Sequence, residues 1–168
     1  MKKIILLVAC SFALFSSVKA QSLKIGHINS QELLSLMPEI KKAEADLKVY
    51  AKSFEDQLET MSKEYQKKMG DYQAQEKTMT DAVKEVKQKE ITDLGARIES
   101  TQKSAEEKVV TKKQELFKPI LDKAEKAIKE VAKEKAFDYV FDVSTGSVLV
   151  TRDADNMLPL VKAKLGIK

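Results

Sequence analysis

From Glu39 to Lys118 the chain runs without a proline and with only two glycines, Gly70 and Gly95. Little in that stretch forces the backbone out of a helix. Apolar residues recur along its first half at Ile40, Ala43, Leu47, Tyr50, Phe54, Leu58, Met61, Tyr65, Met69 and Tyr72. Nine intervals span 32 residues, a mean of about 3.56, between the heptad and the free-helix period. A second series follows at Val83, Val86, Leu94, Ile98, Thr101, Ala105, Val109, Leu116, Ile120, Ala124, Ala127 and Val131. Each series makes one apolar stripe, too narrow for a compact core of its own. The pattern predicts an antiparallel helical hairpin with its tip near residues 78–82, where Thr80 suits the N-cap of the returning helix. Some 40 helical residues make an arm roughly 60 Å long.

Charge in this stretch is balanced, with 17 basic and 17 acidic residues from Glu39 to Lys118. Such mixing marks a solvated helical face. It lacks the basic stripe with stacking aromatics that nucleic-acid binding requires, so no nucleic-acid partner is expected. The seam between Gln102 and Lys113 is notably polar, and loose packing is expected there.

The ends of the chain read differently. Leu23 to Ile28 is a short apolar run, and Phe137 to Thr151 offers two more around the turn signal Ser144-Thr145-Gly146-Ser147. The expected fold is therefore mainly α with a small β-body of three short strands, carrying a long coiled-coil arm. The body comprises residues 21–37 and 119–168, and the arm residues 38–118. Asn29 or Ser30 caps the first helix, Asn29 with Glu32 having capping-box spacing, and Pro38 restarts it at a first turn. Pro119 sits inside the returning helix, where its ring displaces the Glu115 carbonyl and a kink is expected. The kink serves as a bend where arm meets body or as a hinge that lets arms splay. Asn156 can cap a last short helix ending at Gly166.

The first twenty residues read as a secretory signal. Lys2 and Lys3 open it, Ile4 to Phe15 is apolar but too short to span a bilayer, and Val18-Lys19-Ala20 precedes a cut between Ala20 and Gln21. Residues 21–168 then form a single mature domain, and removing Lys2, Lys3 and Lys19 changes the balance from 30 minus 26 to 27 minus 26. Cys10 lies in the leader within Leu7-Val8-Ala9-Cys10, which resembles a lipid-attachment box. The apolar run continues past it to Phe15, which speaks for cleavage over lipidation.

Without Cys10 the mature chain has no cysteine, so neither a disulfide framework nor a thiolate metal site is expected. His27 is the only histidine, and it reads as a surface or base-packed side chain. Asp138, Asp142, Asp153 and Asp155 lack the spacing of a calcium loop and are expected to end strands and cap turns. Phosphate loops, serine elbows and paired acid–base motifs are missing, so neither an enzyme nor a cofactor is expected.

What remains is a concentration of soft side chains in the outer arm, where Met61, Met69 and Met79 interleave with Tyr65 and Tyr72. Methionine is flexible and polarizable, so it adapts to varied apolar partners. These residues, with Phe54, are candidate contacts for a bound polypeptide; as a plain alternative they are only the coiled-coil core.

The segment Leu23-Lys24-Ile25-Gly26-His27-Ile28-Asn29-Ser30 leads to Met37-Pro38-Glu39. Together with Lys118-Pro119-Ile120, Ile128-Lys129-Glu130-Val131-Ala132 and Phe137-Asp138-Tyr139-Val140-Phe141-Asp142, it resembles the Skp/OmpH family of periplasmic chaperones. The resemblance implies a jellyfish-like homotrimer whose arms surround a cavity and hold unfolded outer-membrane proteins in the periplasm without ATP. It also implies that Ile25, Ile28, Val140, Phe141, Val143, Val148 and Val150 pool their apolar surface between subunits. Strongly basic arms are typical of that family, whereas these are neutral overall, so lipopolysaccharide binding carries over weakly and membrane contact is expected to be weak. A structural coiled-coil spacer or envelope tether that grips no client is the competing reading.

Overall fold

The computed structural model describes residues 23–167. Strands β1 (Ile25–Ile28) and β2 (Tyr139–Asp142) pair in parallel, with Ile25 opposite Tyr139 and Ile28 opposite Asp142. Parallel strands need a long crossover connection, and here that crossover is the whole arm. Side chains alternate across the sheet, so Gly26 and Ile28 face inward while Ile25 and His27 face outward. Gly26 is needed for close packing: a Cβ there would lie 2.8 Å from Met157 Sδ and 2.9 Å from Phe137 Cδ1.

Helix α1 (Ser30–Leu36) starts at Asn29, whose Oδ1 accepts from the Glu32 N–H at 3.0 Å. Asp142, at the end of β2, ties that start to the sheet by accepting from the Ser30 N–H at 3.2 Å and from the Ser30 hydroxyl. It also accepts from the Ser144 N–H at 3.0 Å, so burial opposes its charge but these donors win and hold its pKa at about 2, down from 3.8. Asp138 accepts in the same way from the Lys24 N–H at 2.7 Å.

Two long helices make the arm. Helix α2 (Pro38–Gln75) runs out and α3 (Asp81–Glu134) returns, joined by a tight turn over Glu76–Thr80. Thr80 Oγ1 accepts from the Val83 N–H at 3.4 Å, capping α3. Pro119 lies within α3, which is helical on both sides of it. At 1.5 Å per residue, α2 is about 57 Å long and α3 about 81 Å. α3 ends with Ala136 in the left-handed region at φ 52°, and Phe137 N–H donates back to the Ala132 carbonyl at 2.9 Å. Helix α4 (Leu158–Leu165) closes the chain, with Asn156 Oδ1 accepting from the Leu158 N–H at 2.9 Å and Gly166 at φ 70° as its cap.

One apolar core unites these pieces. Ile28, Leu33 and Met37 meet Ile40 and Ala43 from the root of α2, Ile120, Ala124, Ala127 and Val131 from α3, and Met157, Leu158 and Val161 from the C-terminal segment. The arm is thus rooted in the body, not merely attached to it.

The structure corrects the sequence reading in two places. Among the described residues the sheet has two strands, not three. After the turn at Gly146 (φ 72°), the segment 147–152 leaves β2 and approaches β1, where the Arg152 carbonyl lies 3.0 Å from His27 Nε2 and the Met157 N–H donates to the His27 carbonyl. Leu149 and Val150 remain 92% and 87% exposed, so the segment is covered too little to be held as a strand. In the arm, Val83 and Val86 lie outside the seam, and Ile91 fills the place expected of them.

Candidate functional site

The seam of the arm is covered intermittently. On α2 the buried residues are Ile40 and Ala43 at the root and then Met61 and Tyr72; on α3 they are Ile91, Leu94 and Ala105 before Ile120. Between those positions the seam residues Leu47, Tyr50, Phe54, Leu58, Tyr65 and Met69 are half-buried. Two helices alone cannot enclose side chains of this size, so apolar edges remain open to a partner along the arm.

Near the tip the two helices carry a pocket of about 480 Å³ lined by Lys67, Lys68, Tyr72, Met79, Glu90 and Ile91, among others. Lys68 Nζ meets Glu90 Oε2 at 3.0 Å across the helices, and Lys87 approaches the same carboxylate at 3.6 Å. The bond from Lys68 lowers the Glu90 pKa from its ordinary value and raises that of Lys68 in turn. Gln88 Nε2 donates to the Tyr72 hydroxyl at 2.6 Å, a second tie between the helices. The arrangement offers apolar and charged contacts side by side. Among the described residues no cluster of three or more His, Cys, Asp or Glu could hold a metal ion.

Of the six candidate contacts, Tyr72 and Met79 line this cavity together. Met61 and Tyr72 are each 9% exposed, so they serve chiefly as seam, while Phe54, Tyr65, Met69 and Met79 are half-buried. Tyr65 rests against Gly95, whose missing Cβ would lie 3.5 Å from Tyr65 Cε2. Phe54 stands apart from the tip, stacked edge-to-face on Tyr50 with ring centroids 5.1 Å apart. Ile91 belongs to the cavity and was legible from its place three residues before Leu94; Gln88 had no such signal.

The seven body candidates divide. Ile28 is 2% exposed within the protomer's own core, and Val140 is half-buried against that core. Ile25 and Phe141 face outward, 44% and 48% exposed, and with Val148 and Val150 they line one shallow apolar depression. Val143 is half-buried beside the turn. Tyr139 is exposed on the same outer face as Phe141. Ala20 and Gln21, the expected cleavage site, lie outside the described residues.

A body built from the chain ends with a long hairpin between them matches, over residues 24–165, the family profile described as outer membrane protein (OmpH-like). The chain belongs to the OmpH-like family. Among solved structures it is similar to an OmpH-like protein of Caulobacter crescentus CB15, proposed to be an outer membrane chaperone, with a TM-score of 0.74 and 14% identity. That similarity covers 90% of this chain and 89% of the other, so body and arm together form the OmpH-like fold. None of the curated proteins matches the sequence. Among the described residues of this OmpH-like chain, no helix is long and apolar enough to cross a membrane.

Proposed function

We propose that this OmpH-like protein is an ATP-independent holdase chaperone of the periplasm that binds unfolded outer-membrane proteins and prevents their aggregation. One observation carries the reading: the continuous core stops at the root of the arm, and beyond it Phe54, Tyr65, Met69 and Met79 are only half covered. Soft and aromatic side chains held at a seam, on a rod clear of the core, suit transient contact with many apolar sequences. The cleaved leader carries the chain across the inner membrane.

The working unit in this reading is a homotrimer. Two short strands make a marginal sheet, and its outward residues Ile25, Tyr139 and Phe141, with Val148 and Val150, want covering by other copies. Three arms then surround a space for the client, and Pro119, where α3 leaves the body core, is the place for a bend or hinge. Because the arms are neutral, capture depends on apolar contact and confinement, and moderate salt weakens it little.

A specific observation favours a second reading. The ties Lys68–Glu90 and Gln88–Tyr72 stiffen the outer arm, as a coiled-coil spacer or envelope tether requires. Dilution of a urea-unfolded outer-membrane barrel protein, with and without the mature chain, separates the two by light scattering. Suppressed aggregation at about one trimer per client is the expected result. Unchanged aggregation leaves the spacer.

A further inference from the structure

The lower half of the arm differs from the half that ends in the tip. No residue is buried between Ala43 and Met61 on α2, nor between Ala105 and Ile120 on α3. In that interval Tyr50 and Phe54 meet with their ring planes at 88° and remain half-buried. Across from them, α3 lines the adjoining groove only with Glu107, Lys108, Thr111, Lys112 and Glu115. Beside Tyr50 the groove therefore has a polar wall on α3. Lys108 Nζ stands over the Phe54 ring, 5.8 Å from its centroid, close enough for a cation–π contact. Lys112 is engaged by Glu115 at 3.2 Å, whereas Lys108 has no carboxylate partner among the described residues.

We propose that Tyr50, Phe54 and Lys108 form a subsite that takes an aromatic side chain with a carboxylate residue next to it on an extended client segment. The inference rests on the holdase reading and names the side-chain chemistry this part of the arm selects. A third ring completes the edge-to-face cluster begun by Tyr50 and Phe54. The neighbouring carboxylate meets the unpaired Lys108 ammonium, which stands over the Phe54 ring. Space suffices beside Tyr50 and Lys108: the groove they line measures about 330 Å³, and a benzene ring occupies a cavity of about 150 Å³. Glu107 lines the same groove and opposes the carboxylate. The preference is therefore modest, and Glu107→Gln enlarges it.

The test uses the whole mature chain and short acetylated, amidated peptides that differ only in one central pair: Phe-Asp, Phe-Asn or Leu-Asp. Competition against a fluorescent peptide is read by anisotropy at low salt. Phe-Asp is expected to bind about threefold tighter than Phe-Asn, the scale of a partly exposed ion pair. It is expected to bind about fivefold tighter than Leu-Asp, the scale of an added aromatic pair. Lys108→Met removes the first difference and keeps the second, and its unchanged circular-dichroism melt shows an intact arm. Equal affinity for Phe-Asp and Phe-Asn, or a preference that survives Lys108→Met, overturns the subsite. Aggregation suppression measured on the same preparation keeps the two ideas apart: suppression without peptide preference sinks the subsite alone, and preference without suppression sinks the holdase.

Discussion

Helix α3 lives in two environments, and the contrast between them organises the molecule. Its last turns place Ile120, Ala124, Ala127 and Val131 in a core shared with α1, the root of α2 and α4. Farther out, Ile91, Leu94 and Ala105 have only one helix to pack against, and the residues between them and the root are never fully covered. Burial on all sides gives a single rigid arrangement, whereas one-sided burial leaves a rod that is ordered but open. The body therefore supplies stability and the arm supplies surface, and each should respond differently to the same kind of change.

The sharpest way to break this comparison is a matched pair of truncations. Leu33 has no exposed surface, so Leu33→Ala should cost about 2–5 kcal/mol through lost burial and an unfilled cavity. Met61 is among the best buried residues of the outer arm, yet Met61→Ala should cost only about 1–2 kcal/mol, because the open seam can close around the gap. Urea midpoints at fixed protein concentration measure both. Equal losses would mean that the arm is as tightly organised as the body.

Acid should act on the body in particular. Asp142 has its pKa depressed to about 2 in the fold, against 3.8 for the free group, by donors that join β2 to the start of α1. A depressed carboxylate pKa means the stabilisation is fully present above about pH 4 and fades as pH falls through about 2, where the folded state too takes up the proton. Asp142→Asn should lower stability at neutral pH and flatten that window. In the arm, the Glu90 pKa is lowered by Lys68 in a pair that is still partly open to solvent, whose attraction water and salt screen. Glu90→Gln should leave the acid transition almost unchanged, and thermal melts from pH 5 to pH 2 distinguish the pair.

The arm should fail in function before it fails in stability. Replacing Met69 and Met79 together with alanine removes half-buried side chains, for an expected loss under about 1 kcal/mol. Suppression of client aggregation should fall several-fold. Unimpaired suppression by a variant that melts normally would move client contact away from the tip.

How far the sequence disclosed all this follows the same division. The arm was legible because a helix repeats its environment every few residues: the apolar series from Ile40 to Tyr72 coincides with half-buried or buried positions throughout. It misled where polar residues build the seam. Val83 and Val86 continue the apolar pattern, yet near the tip the contact uses lysine stems and the Gln88–Tyr72 hydrogen bond. Asn29 and Asp142 revealed their roles toward Glu32 and Ser144, since caps depend on near neighbours, whereas Asp138 accepts from the Lys24 N–H, 114 residues away. The segment at Leu149 and Val150 did not, because a strand's propensity is realised only against a covering partner, and in the protomer these two side chains stay 92% and 87% exposed. The tip cavity was equally hidden, for Lys68 and Glu90 lie 22 residues apart and meet only once the hairpin closes.

The smallest effect tests where body and arm are stitched together. Two residues past the end of α3, Ala136 is held at φ 52° so that the Phe137 N–H can reach back to the Ala132 carbonyl and the chain can turn into β2. A Cβ in this left-handed conformation crowds the following carbonyl oxygen, a strain of roughly 1 kcal/mol that glycine avoids. Glycine also has more freedom to lose on folding, which offsets part of the gain. Ala136→Gly should therefore stabilise the protein by about 0.5 kcal/mol, read as a small rise in urea midpoint with unchanged slope. A loss instead would show that the turn needs the stiffness of alanine more than relief of its strain, and that the junction tolerates conformational cost to hold the arm at a fixed angle.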